Sequence, residues 1–173
     1  GEILEFLSLN DLDLTGARFQ EGKFRGITIS NSHTREIDFR GAIFENVVFN
    51  AVDLSGSDFS RAELVDCIFS NVTMDNTSFV NATLRGCSIF VDNVPVKNED
   101  DVVVTFEEME IPERLAATLR ENHILGFKQG RSSCLHADFS NTKIHDTTFE
   151  NTVFSSAVFR SAEFSMVTLT DVA

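Results

Sequence analysis

From Arg40 to Phe90 a large apolar side chain returns at every fifth residue: Phe44, Phe49, Leu54, Phe59, Leu64, Phe69, Met74, Phe79, Leu84 and Ile89. Two positions before each stands a small or compact residue, such as Ala42, Val47, Ser57, Ala62, Cys67, Ala82 and Cys87. Two positions after, turn formers dominate: Asn46, Gly56, Asp66, Asn71, Asn76, Asn81 and Gly86. A period of five is neither the 2 of a strand nor the 3.6 of a helix, so no single sheet face or helix stripe collects these residues. It suits a coil in which each unit makes one short side of a square and turns a corner. Every large apolar residue then points to the axis, and four units close a coil of roughly twenty residues.

The register extends in both directions. Leu4, Leu9 and Leu14 already obey it, so Gly1 to Leu12 reads as an irregular first coil rather than a separate helix, and Phe19, Phe24 and Ile29 follow. Thr34 then takes a central position. Either it is a tolerated defect, bonding the backbone while bulky Ile27 and Ile37 take up volume, or the coil bulges there and presents His33 and Arg35. At a stride of twenty, Phe19, Phe39, Phe59 and Phe79 should form one column along the axis. The repeat stops after Ile89 and Phe90 and resumes near Cys134 or Phe139, running through Ile144, Phe149, Phe154, Phe159 and Phe164 to Leu169. Three parts follow: coils over 1–90, an insertion over 91–133, and coils over 134–173.

Within the insertion, Val102 to Phe106 has strand propensity, and Pro112 leads a short helix expected near 112–122, with Leu115 and Leu119 four apart on one face. Long excursions from a regular scaffold commonly carry function. The expected contact residues for a partner are Glu107, Glu108, Glu110, Leu115, Leu119, Arg120, Ile124 and Leu125. A flap that covers one wall of the coil would bury the same apolar stripe.

The units Val52-Asp53-Leu54-Ser55-Gly56 and Ala137-Asp138-Phe139-Ser140-Asn141 match A-(D/N)-L-x-x with Leu or Phe at the centre, and the chain thereby resembles the pentapeptide-repeat family. The resemblance implies an all-β fold, a right-handed quadrilateral β-helix (a pentapeptide-repeat solenoid) with one inserted loop and helix segment. It implies little about function, since one scaffold hosts many roles. Members that act on topoisomerases pair through their C-terminal ends, and here the apolar run Phe164 to Leu169 would allow an end-to-end homodimer.

Composition narrows the function classes. The 173 residues include seventeen Phe but no Trp or Tyr, which suits an axis that stays dry. A net charge of −13 argues against direct nucleic-acid binding, which needs clustered Lys and Arg. No apolar run approaches the roughly 20 residues of a membrane span. A soluble, cytoplasmic protein is expected, or a fragment of a secreted effector, since Gly1 stands where an initiator Met would.

No catalytic, cofactor-binding or metal-ligating residue is assigned. His33, His123, His136 and His145 are scattered without zinc-ligand spacing, and no phosphate loop or nucleophile elbow is present. An enzyme is not expected. Cys67 and Cys87 are twenty apart, so stacked coils would permit a disulfide, although small reduced fillers explain them as well. Three glycosylation sequons, at Asn71, Asn76 and Asn81, read as corner residues that the repeat itself generates.

Three functions remain. The first is a non-enzymatic protein-interaction scaffold with the 91–133 insertion as its recognition element. The second, suggested by acidic family members that protect DNA gyrase, is a DNA mimic acting on a topoisomerase. The third is a substrate-presenting β-helix domain of a larger secreted bacterial effector.

Overall fold

The five-residue unit works because each one turns its corner through a left-handed residue. Positive φ recurs at every fifth position from Phe6 to Gly86 and again from His136 to Asp171, always two residues after the central one. Glycine supplies five of these corners, at 16, 26, 41, 56 and 86, and Asn or Asp many of the others, the residue types that tolerate this region best. Asn71, Asn76 and Asn81 are such corners, with φ of 53°, 55° and 60°.

The computed structural model describes residues 3–90, 93–96, 113, 117, 120, 126–129 and 132–173. It is an all-β quadrilateral solenoid of parallel rungs. Its first wall holds β1 (Ile3–Glu5), β3 (Lys23–Arg25), β5 (Ile43–Glu45), β7 (Glu63–Val65), β9 (Thr83–Arg85), β14 (Lys143–His145) and β17 (Glu163–Ser165). The second holds β2 (Ser8–Asn10), β4 (Thr28–Ser30), β6 (Val48–Asn50), β8 (Ile68–Ser70), β10 (Ser88–Phe90), β15 (Thr148–Glu150) and β18 (Thr168–Thr170). The third wall is a column of parallel bridges joining Asp13, His33, Asp53, Thr73 and Ser133, which continues as β13 (Ser132–Ser133) against β16 (Thr152–Val153). The fourth joins Arg18, Asp38, Asp58, Ser78, Asp138 and Val158. Partners differ by twenty residues throughout, except where the insertion intervenes.

The central residues fill the axis. Phe39, Phe59, Phe79 and Phe139 are all but fully buried, and with Phe19 and Phe159 they form the expected column, with successive centroids 4.8 to 5.7 Å apart. That spacing is the rung separation of a parallel ladder, with each ring offset-stacked on the next. The compact residues two positions before the centre line the corners from inside, with Ala42, Val47, Cys67 and Ala82 all buried.

Thr34 is the tolerated kind of defect. It is fully buried, its hydroxyl donates to the Asp53 carbonyl at 2.7 Å, and Ile27 and Ile37 are buried with it. The coil does not bulge, because His33 keeps its in-register bridges to Asp13 and Asp53. Asp at the position before the centre has a physical role too. Its carboxylate accepts from the backbone N–H two residues on, as in Asp53 to Ser55 (2.9 Å), Asp58 to Ser60 (2.8 Å) and Asp138 to Ser140 (2.8 Å), which fixes the approach to each corner.

Two units partition the chain, one formed by 1–91 and 131–173, the other by 92–130. In the second, β11 (Asn93–Val96) pairs antiparallel with β12 (Gly126–Gln129). Glu113, Ala117 and Arg120 have helical backbone, while the rest of the helix expected near 112–122 and the strand-like stretch Val102 to Phe106 lie outside the described residues.

Candidate functional site

The insertion interrupts the chain without interrupting the lattice. The chain leaves the coils after β10 and re-enters at β13, where the Ser132 hydroxyl donates to the Phe90 carbonyl at 2.8 Å. Cys134, fully buried, takes the central place above Met74, whose N–H donates to Ser133 O at 2.6 Å. Val94 could have competed for that place by register, but it sits in β11 opposite Lys128. Asp75 accepts from the Ser133 hydroxyl (2.6 Å) and from the Leu135 N–H (3.0 Å), tying the returning strand to the rung below. One unit later Phe139 lies flat on Phe79, with centroids 4.8 Å apart and ring planes within 2°.

Of the expected contact residues, Arg120 is described. It is exposed, and its Nη1 donates to Glu113 Oε1 at 2.9 Å, a pairing seven residues apart in sequence. Glu107, Glu108, Glu110, Leu115, Leu119, Ile124 and Leu125 lie outside the described residues.

The walls differ in charge. On the first, Arg25 is held between Glu45 (2.7 Å) and Glu5 (3.0 Å), which raise its guanidinium above the ordinary value. On the fourth, Arg40 reaches Asp38 (2.7 Å) and Asp58 (3.8 Å). Its hydrogen bond holds the Asp38 carboxyl well below the usual carboxylate range, against the opposing pull of burial, and Gln20 assists. The third wall carries Asp13, Asp53 and Asp75 among His33 and Arg35, with Arg35 3.5 Å from Asp53. Acids and bases therefore alternate on three walls, and no unbroken anionic stripe runs along them among the described residues.

The second wall is different, and sequence reasoning missed it. Residues flanking the centre of a strand alternate away from the axis, and on this wall all but Ser30 and Ser70 reach solvent. Here they form one column of Ser8, Thr28, Val48, Ile68, Ser88, Thr148 and Thr168, and another of Asn10, Ser30, Asn50, Ser70, Phe90, Glu150 and Thr170. Glu150 is the one charged residue of the two. Reading every twentieth residue from position 8 would have exposed the pattern.

The groups that might suggest chemistry have structural roles. Cys67, Cys87 and Cys134 are buried free thiols. Cys67 donates to Val65 O and Cys87 to Leu64 O, and the neighbouring Cys87 together with burial pushes the Cys67 thiol up, as burial does for Cys134. Cys67 and Cys134 are therefore poor nucleophiles, and burial shields Cys87 with them. His33, His136 and His145 are exposed; His136 is a corner, and His145 Nδ1 pairs with the Ser165 hydroxyl at 2.7 Å. His123 is outside the described residues. Among the described residues no group of three His, Cys, Asp or Glu could hold a metal ion, and no helix is long and apolar enough to cross a membrane.

At the C-terminal end Phe149, Phe154, Phe159, Phe164 and Leu169 line an apolar hollow of about 310 Å³, with Phe164 and Leu169 about half exposed.

Several solved structures are similar to this chain. HetL, a pentapeptide repeat protein involved in heterocyst differentiation regulation from the cyanobacterium Nostoc sp. strain PCC 7120, is 15% identical, with 98% of this chain and 85% of HetL covered and a TM-score of 0.35. QnrB1, a plasmid-mediated fluoroquinolone resistance protein, is 18% identical over 95% of this chain and 83% of its own, with a TM-score of 0.34. A pentapeptide repeat protein from the Arabidopsis thaliana thylakoid lumen is 24% identical over 48% of this chain and 54% of its own, with a TM-score of 0.23. No curated protein matches the chain by sequence. The profile described as Pentapeptide repeats matches in 8 copies, over residues 23–61, 35–71, 53–89 and 135–172. With more than half of its residues matched in the register of the coils, the chain belongs to the pentapeptide-repeat family.

Proposed function

We propose that the protein is a non-enzymatic interaction scaffold in which the solenoid is the mount and the 91–133 insertion recognises a protein partner. One observation carries this reading. The rungs above and below the insertion bond as though it were absent, so the coils do not need it, and a segment that the scaffold does not need is free to serve recognition. On this reading Glu107, Glu108 and Glu110 supply negative charge, Leu115, Leu119, Ile124 and Leu125 supply apolar contacts, and Arg120 supplies a cation.

The test is affinity capture with the intact chain and with one in which 92–130 is replaced by a short Gly-Ser linker. Loss of a captured protein on replacement, with circular dichroism unchanged, supports the reading; retention moves recognition to the walls or ends. The gyrase reading is the weaker one, because a DNA mimic needs a continuous anionic stripe and Arg25, Arg35 and Arg40 interrupt the acids. No effect on gyrase supercoiling at high excess would end it. Presentation of substrates within a larger effector would use the same insertion. End-to-end pairing through Phe164 and Leu169 would be a separate contact, and both residues are exposed enough to make it.

A further inference from the structure

In a chain of net charge −13, the strands of the second wall carry their charge, among the described residues, on Glu150 alone, with Asp66 and Asp146 at adjoining corners. Depletion of charge is what distinguishes the centre of a protein interface from the rest of a surface. The side chains on this wall are mostly hydroxyls and amides, which both donate and accept hydrogen bonds. Such a wall complements a copy of itself, whereas a charged wall complements only its opposite.

The wall also has an apolar centre. Ile68 is the one exposed large hydrophobic residue among the described residues between Leu14 and Phe154, at 38% exposure, and half-buried Val48 lies beside it on the next strand. Its strand, β8, is the fourth of the seven in the wall. We propose that the second wall is a self-association surface that meets the same wall of a second copy of this chain, face to face and antiparallel. Charge selects the antiparallel arrangement. A parallel pair would set Glu150 against Glu150, while an antiparallel pair sets the Glu150 strand, β15, across from β4, whose flanking residues are the uncharged Thr28 and the buried Ser30. The same symmetry brings the two Ile68 side chains together at the two-fold axis. Charges of the adjoining walls stay at the rim, where salt screens them.

Area sets the strength. Seven strands about 4.8 Å apart and three residues wide give a patch of roughly 30 by 10 Å, or about 300 Å² per copy. A standard interface buries about 800 Å² per partner, so this contact is transient and concentration-dependent.

Sedimentation of the intact chain from about 10 μM to about 1 mM, the range where weak complexes form, should show the average mass rising above the monomer's. Val48→Lys combined with Ile68→Lys should hold it at the monomer mass. Cross-linking supplies a second readout, one that reports the introduced thiol in the folded chain, because the native thiols are all buried. With oxidised glutathione as oxidant, Ile68→Cys should form an interchain disulfide at least about tenfold faster than Thr168→Cys, since only a residue at the two-fold axis meets its own copy. Thr168 is exposed as Ile68 is, yet it lies at one end of the wall and would face the opposite end of its partner. A mass that stays monomeric to about 1 mM, a rise that survives both lysines, or equal cross-linking at the two positions would overturn the proposal.

Discussion

Replacing Phe59 by Ala tests the axial column where it is most constrained. The ring is fully buried and lies between Phe39 (4.8 Å) and Phe79 (5.1 Å), with Phe44 (5.7 Å) and Phe49 (6.3 Å) against its sides. Losing the buried ring removes about 2 to 3 kcal/mol of transfer free energy. The neighbours cannot close the gap, because each is fixed to its own rung by the parallel ladder. A residual void of about 80 Å³ at about 24 cal/mol per Å³ adds about 2 kcal/mol, for a total of about 4 to 5 kcal/mol. Phe164 provides the control. It is 48% exposed and has Phe159 as a tilted neighbour at 5.7 Å, so Phe164→Ala should cost about 1 kcal/mol or less. Urea titration followed by circular dichroism measures both, with an unchanged slope showing that the same surface unfolds. A cost below about 1 kcal/mol for Phe59→Ala, or equal costs for the two variants, would refute the reasoning.

Three further outcomes are expected. Ala51 occupies a corner at φ 51°, so Ala51→Gly should raise stability by about 0.5 to 1 kcal/mol, the relief of left-handed strain less the entropy of glycine, while Gly56→Ala at φ 71° should lower it; thermal melts showing the same sign for both would count against this account of the corners. Native protein should react with a thiol reagent at none of its three cysteines, and denatured protein at all three, so rapid native labelling would contradict the burial of Cys67, Cys87 and Cys134. Because Asp38 titrates in the folded protein below its ordinary value of 3.8, its contribution is present above that value and is lost as pH falls through the depressed one. Asp38→Asn should therefore flatten the acid side of the stability profile, and an unchanged acid limb would show that the Arg40 contact adds nothing.

The solenoid was legible because every unit repeats the same local solution. A large residue faces the axis, a compact one fills the corner, and a turn former takes the left-handed position, so Phe59 or Asn76 can be placed from its own five residues. Corners such as Ala51, Arg61 and Met166 are not legible singly, since only the lattice on either side holds them at positive φ. Register alone places the return near Cys134 or Phe139, and the hydrogen bond from the Met74 N–H to the Ser133 carbonyl puts it at Cys134. The second wall escaped notice because Thr28, Val48, Ile68 and Ser88 are each ordinary and become neighbours only at a stride of twenty. The proposed recognition element was visible only as a departure from the repeat, because protein recognition demands no fixed set of residue types as a metal or a phosphate does.

The central claim is that the coils form one lattice to which the insertion is an addition. Hydrogen exchange on a chain with 92–130 replaced by a short linker tests it most directly, read at the backbone N–H groups of Met74, Asn76 and Phe79, which donate to Ser133, Leu135 and Asp138 across the junction. The account predicts that these amides stay as protected as in the intact chain. Fast exchange at the three, with protection kept at Phe39 and Leu54, would mean that the insertion holds the two sets of coils together and is part of the scaffold.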